Sequence, residues 1–260
     1  MSDTHQPDKA VHFEVDDATA TITINRPQAH NAINRAVRDG LWDAFDSISR
    51  DGNIKVAILT GAGDRSFCAG ADLKEMAATK MAVPSRRGIP HLGRNVQLDV
   101  PIIAAVNGLA LAGGFSLAQQ CDLCYAAEHA EFAISEAKWS RGAPWAGPLS
   151  SLIPPRIAME LLITAEPISA ERACEIGLVN KVLPAAELMD EVRRVAGVIA
   201  ANAPLTVKAG KQLVYRTLGM SWIDSLDAGD EIYEHVYLSE DAQEGPLAFS
   251  EKRSPVWKGH

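Results

Sequence analysis

Two short glycine-bearing stretches, Ser66-Phe-Cys-Ala-Gly-Ala-Asp72 and Asn107-Gly-Leu-Ala-Leu-Ala-Gly-Gly114, each follow an apolar run and precede a helical pattern. A turn of that kind leaves backbone N–H groups free at a helix start, where unsatisfied donors and the helix dipole favour negative charge. The chemistry open to them is stabilisation of an anion by the main chain. Neither stretch has the spacing G-x-G-x-x-G or G-x-x-x-x-G-K-[ST], so the dinucleotide and P-loop readings fail. Cys121-Asp-Leu-Cys124 has C-x-x-C spacing, but no second such pair or His pair completes a zinc set. Its flanks read as strand, where positions three apart face opposite sides, so Cys68, Cys121, Cys124 and Cys174 read as reduced structural thiols. Glu136 closes the run Phe132-Ala-Ile-Ser-Glu136, a place where a carboxylate can cap the next helix.

The elements that must position these residues alternate. Val11 to Val15 and Thr19 to Asn25 interleave apolar and polar residues across Asp16-Asp17-Ala18, the pattern of a half-buried hairpin. Asn34 to Ser49 carries Val37, Leu41, Phe45 and Ile48 at helical spacing, and Val56 to Thr60 is a short apolar run stopped by Gly61-Ala-Gly63. The theme repeats with a loose segment around 79–93, a helical stretch to Leu98 and the strand Pro101 to Val106. Further strand-like runs cover Leu123 to Ala127 and Glu131 to Ile134. Helical periodicity then covers Arg156 to Thr164, Ala170 to Ile176, Ala185 to Ala201, Leu205 to Leu218 and Ile223 to Leu238. Such alternation predicts an α/β sheet covered by helices, followed by a mostly helical C-terminal third.

Composition bounds the function. The 260 residues are 47% hydrophobic, enough for one large folded unit. A balance of 25 Lys+Arg against 33 Asp+Glu leaves a net charge of −8, the wrong sign for a protein that grips nucleic-acid backbones. No apolar run approaches the roughly 20 residues of a membrane span, and the opening MSDTHQPDKAVH has no apolar signal-peptide core. The expectation is a cytoplasmic protein with no membrane or nucleic-acid partner.

The combination and order of Asn25-Arg-Pro, Phe67-Cys-Ala-Gly-Ala-Asp-Leu73, Pro101-Ile-Ile-Ala-Ala-Val-Asn-Gly108, Ala112-Gly-Gly114, Cys121-Asp122 and Phe132-Ala-Ile-Ser-Glu136 resembles the crotonase (enoyl-CoA hydratase/isomerase) superfamily. The resemblance runs from about Phe13 to Lys252 and includes Ile168-Ser-Ala and Gly177-Leu-Val-Asn180. The tail from Ser239 to Gly259 is similar to that of the carnitinyl-CoA dehydratase branch in particular. It implies an α/β fold, a crotonase-like spiral of repeated ββα units over residues 1–195, with a C-terminal helical oligomerisation region at 196–260. It also implies a homotrimer or dimer of trimers, an acyl-CoA substrate, and no cofactor or metal beyond the coenzyme A of that substrate.

Carried over by motif position, the resemblance makes the N–H groups of Ala71 and Gly113 the donors to a thioester oxyanion, the latter reinforced by the following helix. It assigns Glu136 to proton transfer and Ala69, Asp72 and Leu73 to the coenzyme A end. Relatives that hydrate usually carry a second Glu early in the helix after the glycine turn, where this chain has Ser116. A serine hydroxyl can orient a water but is a poor proton acceptor near neutral pH. A second departure replaces a glycine-rich loop with Trp139-Ser-Arg-Gly-Ala-Pro-Trp-Ala-Gly147, whose Trp139 and Trp145 either reshape the acyl pocket or pack on a neighbour. Arg86, Arg87, His91 and Arg94 lie on the other expected wall. The leading expectation is an enoyl-CoA hydratase/dehydratase-type lyase with catalytic Glu136 and Ser116. A Δ3,Δ2-enoyl-CoA isomerase is the alternative that one carboxylate can run, and a degenerate acyl-CoA-binding protein is the non-enzymatic one.

Overall fold

The computed structural model describes residues 9–80 and 87–260. The expected hairpin forms as β1 (Val11–Asp16) and β2 (Thr19–Ile24), antiparallel with Val11 opposite Ile24. Helix α1 (Arg35–Arg50) starts at Asn34, whose side chain accepts the N–H of Val37 at 3.0 Å, a satisfied N-cap. Its buried stripe is the one read from the spacing, Val37, Leu41, Phe45 and Ile48, with Ala44 added.

Three successive turns then share one plan. The first is β3 (Val56–Gly61), β4 (Ser66–Cys68) and α2 (Leu73–Thr79); the second is β5 (Ile102–Val106), β6 (Leu109–Leu111) and α3 (Gly113–Gln119). The third is β7 (Leu123–Ala127) and β8 (Glu131–Ala133), followed by α4 (Leu149–Leu152) and α5 (Pro155–Thr164). After β9 (Ile168–Ser169), α6 (Ala170–Glu175) and β10 (Lys181–Leu183), the chain continues as α7 (Leu188–Ala201), α8 (Pro204–Thr217), α9 (Trp222–Tyr237) and α10 (Asp241–Glu251). Each turn gives its first strand to a six-stranded sheet, β1-β2-β3-β5-β7-β10, and its second to a four-stranded sheet, β4-β6-β8-β9. Equivalent strands pair in parallel, so the turns stack as a spiral.

Strands β3 and β5 are buried along their whole length because both faces of the larger sheet are covered. The period of two divides their side chains. Ala57, Leu59, Ile102 and Ala104 enter the main core, whereas Val56, Ile58, Ile103 and Ala105 meet Leu188, Val192 and Ala196 of α7 on the outer face. Residue 195, the expected end of the spiral core, therefore lies inside a helix that packs on the sheet. The separate helical layer starts with α8, which pairs with α9 through Ala209, Ile232 and Val236. Asp122 joins the two parts by accepting from Ile102 N–H (2.7 Å) and Tyr215 Oη (2.9 Å) and pairing with Lys211 (2.9 Å). The tail folds back: the buried Asp241 accepts the N–H groups of Lys258 and Gly259, and Trp257 Nε1 donates to Ala201 O. Trp222, Tyr237, Leu238 and Phe249 stay exposed on this helical layer.

The helical stretch expected to end at Leu98 does not form. Gly93 takes a φ of 74°, the N–H groups of Asn95 and Val96 both reach His91 O, and Gly93 N–H returns to Val96 O, which makes a tight loop. Apolar spacing alone could not see that glycine's conformation. Residues 81–86, part of the loose segment and including Arg86, lie outside the described residues, as do residues 1–8. The short strands β4, β6, β9 and β10 are too brief to show a period, while β8, equally short, falls within the strand read at Glu131 to Ile134. All four cysteines are free, and burial pushes the Cys68 and Cys124 thiols up to about 12. Among the described residues no helix is long and apolar enough to cross a membrane.

A Cβ on Gly114 would stand 1.9 Å from the backbone oxygen of Cys68, so α3 can lie against β4 only with glycine there. Gly114→Ala is expected to destabilise the fold by about 3 kcal/mol or more, since a strand must shift rather than a side chain. Chemical denaturation of the variant beside wild type checks this.

Candidate active site

The two glycine turns meet. Ile33 and Ala71 form an isolated parallel bridge, with Ile33 N–H donating to Gly70 O (2.7 Å) and Asp72 N–H to Ile33 O (3.1 Å). Gly70, at φ 87°, lies so close to the second turn that a Cβ on it would be 2.8 Å from Leu111 O and 3.1 Å from Gly113 N. Ala112 sits at φ 51°, ψ −118°, a conformation that is costly for any residue with a Cβ. This geometry starts α3 immediately at Gly113. Among the described residues the N–H groups of Ala71 and Gly113 donate to no acceptor. Both residues line a cavity of about 820 Å³, with Ala69, Leu73, Glu136 and Trp139 also on its wall.

Glu136 lies in a short 3₁₀ turn, Ser135–Trp139, directly after β8. Trp145 Nε1 donates to its Oε1 at 2.9 Å, while the buried Oε2 accepts nothing from the described residues. Burial pushes the carboxyl above the ordinary range, and its own backbone N–H and the Trp145 indole offset this only in part. The Trp145 ring also packs on Phe115 of α3, with centroids 5.7 Å apart, and Phe115 in turn meets Phe132 edge-on. Trp145 therefore both packs and shapes the pocket, the two possibilities its sequence left open. Trp139 is exposed at the cavity wall.

Two expected site residues stand elsewhere. Ser116 is buried in α3 and is not part of the cavity lining. Asp72 does not line it either: Oδ1 accepts the N–H groups of Lys74 and Glu75 as the N-cap of α2, and Oδ2 accepts from Arg26 at 3.0 Å. Burial alone would raise its pKa, but those donors outweigh it and hold the carboxyl below the ordinary range. Its visible work is to tie the Ala71 turn to the Arg26 loop, whose guanidinium also donates to Ala32 O at 2.6 Å. Arg87, His91 and Arg94 do line the cavity, as expected, and Arg38 and Met76 join them. No spacing could have found these two, because they come from the outer helices α1 and α2. Among the described residues no group of three or more His, Cys, Asp or Glu is arranged to hold a metal.

The family model described as enoyl-CoA hydratase/isomerase matches residues 14–260. The chain belongs to the enoyl-CoA hydratase/isomerase family. It is 41% identical over 249 residues to a carnitinyl-CoA dehydratase of Salmonella arizonae, covering 92% of this chain and 94% of that one. It is 39% identical over 262 residues to a carnitinyl-CoA dehydratase of Escherichia coli K12, covering 96% and 99%. Among solved structures, an enoyl-CoA hydratase from Mycobacterium tuberculosis superposes with a TM-score of 0.88 at 40% identity, covering 97% of this chain and all of that one. The crotonase-like spiral and its C-terminal helices are thus those of the family.

For this family member the Glu136 environment carries a signed prediction. Trp145→Phe keeps a ring against Phe115 but removes the donor that favours the carboxylate, so the Glu136 pKa rises further. A ¹³C titration of the Glu136 carboxyl checks it. Because a raised folded-state value favours the protonated form, Glu136 costs the fold stability as pH rises from the unfolded value, about 4.3, through the raised one. Glu136→Gln removes that dependence, so its melting temperature relative to wild type climbs between pH 4 and pH 7.

Proposed function

We propose that this enoyl-CoA hydratase-type lyase holds the carbonyl oxygen of an acyl-CoA thioester on the N–H groups of Ala71 and Gly113, and moves a proton at the neighbouring carbon with Glu136. The observation that carries the reading is the cavity itself, where two unused main-chain donors share a wall with one desolvated carboxyl of raised pKa. An oxyanion formed there meets donors already in place, and removing one such donor typically costs about 10²–10³ in rate. A carboxyl titrating closer to neutrality can give and take a proton in one cycle. Ala69 and Leu73 serve the coenzyme A end, while Arg38, Arg87 and Arg94 add positive charge for its phosphates. Similarity to carnitinyl-CoA dehydratases supports a 2-enoyl or 3-hydroxyacyl thioester as the reacting group. The exposed apolar side chains of α9 and α10 support assembly as a homotrimer or a dimer of trimers.

A second reading rests on one observation. Glu136 is the only carboxylate among the described cavity-lining residues, and a single carboxylate suffices to move a proton between carbons, as a Δ3,Δ2-enoyl-CoA isomerase does.

Incubation in D₂O with crotonyl-, 3-enoyl-, crotonobetainyl- and longer 2-enoyl-CoA, followed by mass spectrometry, separates the two. The lyase adds the mass of water, whereas the isomerase shows double-bond migration or deuterium uptake without it. Glu136→Gln is expected to slow either reaction by about 10²–10⁴. Undiminished turnover of that variant would sink the catalytic assignment.

A further inference from the structure

Adding water across a C=C needs two proton transfers, one at the α-carbon and one from the attacking water. Glu136 provides for one, and Ser116 is buried away from the cavity lining. Three buried side-chain polar atoms among the described residues find no partner: Glu136 Oε2, His91 Nε2 and Gln119 Oε1. The first two belong to titratable residues on the wall of the same cavity.

The His91 ring is held in one state. Its Nδ1 lies 2.8 Å from Ile89 O, and a carbonyl can only accept, so Nδ1 carries the proton and the neutral ring keeps its lone pair on Nε2. His91 N–H donates to Asn95 Oδ1 (2.7 Å), Leu92 N–H to Gln120 Oε1 (2.9 Å), and Gln120 Nε2 to Pro90 O (3.1 Å). The loop is thereby fastened to the far end of the helix that begins at Gly113. Ile89, two residues before His91, lies over that beginning: a Cβ on Gly113 would stand 2.8 Å from Ile89 Cδ1.

We infer that His91 is the second acid–base group of this cavity, the base that takes the proton from water at the β-carbon of the enoyl thioester. The inference rests on the proposed function above and names the group which that reading lacks. In the step, a water O–H bond breaks and its proton goes to Nε2 while the oxygen bonds to the β-carbon. The π pair moves to form the enolate, whose oxygen rests on the two free N–H groups. The enolate then takes the Glu136 carboxyl proton at its α-carbon. Imidazolium and carboxylate reset by proton exchange with solvent, and dehydration runs the same steps backwards. The environment keeps the base neutral: burial, with a smaller push from the Arg94 charge, lowers the His91 pKa, and the hydrogen bond from the ring to Ile89 O opposes them only in part.

The test compares wild type, His91→Gln, His91→Ala and Glu136→Gln in two reactions: hydration of crotonyl-CoA, and solvent deuterium uptake at the α-carbon of butyryl-CoA, which needs the enolate and Glu136 but no attacking water. Loss of hydration by about 10²–10⁴ in His91→Gln with deuterium uptake intact is the expected result, together with partial recovery of hydration in His91→Ala on adding imidazole. Wild-type hydration by His91→Gln overturns the assignment and leaves the Glu136 reading standing. Equal loss of both reactions with no imidazole rescue also overturns it, reducing His91 to a prop for its loop. Full activity of Glu136→Gln in both reactions overturns the underlying reading and this inference with it.

Discussion

The rest of the structure depends on two backbone turns approaching so closely that no side chain fits between them. A Cβ on Gly70 would stand 2.8 Å from both Leu111 O and Ala112 Cβ, Gly114 lies against Cys68 O, and Ala112 takes a costly backbone conformation beside them. Contact at that distance keeps the N–H groups of Ala71 and Gly113 out of any ladder yet beside each other. Such strain persists only where the surroundings over-determine it. Here they do: the Ile33–Ala71 bridge, the Arg26–Asp72 ion pair and the stacked sheets all fix the same two turns.

Helix α3 links these donors to both walls of the cavity. Its first residue presents Gly113, its Phe115 supports Trp145, Gln119 Nε2 donates to Trp145 O at 3.3 Å, and Gln120 holds the loop of His91. One buried two-turn helix thus carries the free N–H of Gly113 and holds both the indole bonded to Glu136 and the loop of His91. The two titratable groups have their pKa values displaced by the same cause, desolvation, in opposite directions: Glu136 upward and His91 downward. Burial disfavours charge of either sign, which raises an acid and lowers a base.

Much of the fold was legible in order and type. The hairpin, α1 with its buried stripe, the two apolar strands β3 and β5, and the helices α5 to α9 all followed from periodicity, whereas α10, with Pro246 inside it, did not. The tail that resembled one branch of the family proved to be a clasp on Asp241, Glu244 and Ala201. The strands β4, β6, β9 and β10 and the tight turn that replaces the helix expected to end at Leu98 were not legible, because their geometry comes from pairing with distant strands and from one glycine at positive φ.

Sequence by itself determined which groups could do chemistry here: two glycine turns able to offer bare N–H groups and one carboxylate after β8. These are properties of residue type and local backbone freedom, so they survive without knowledge of the fold. Tertiary structure alone decided who meets whom. It bound Asp72 into a cap, buried Ser116 away from the cavity lining, brought Trp145 onto Glu136, and set on the same wall an imidazole whose Nε2 has no partner among the described residues. The physical reason is desolvation, since whether a polar atom is partnered, buried or free depends on atoms tens of residues away in the chain.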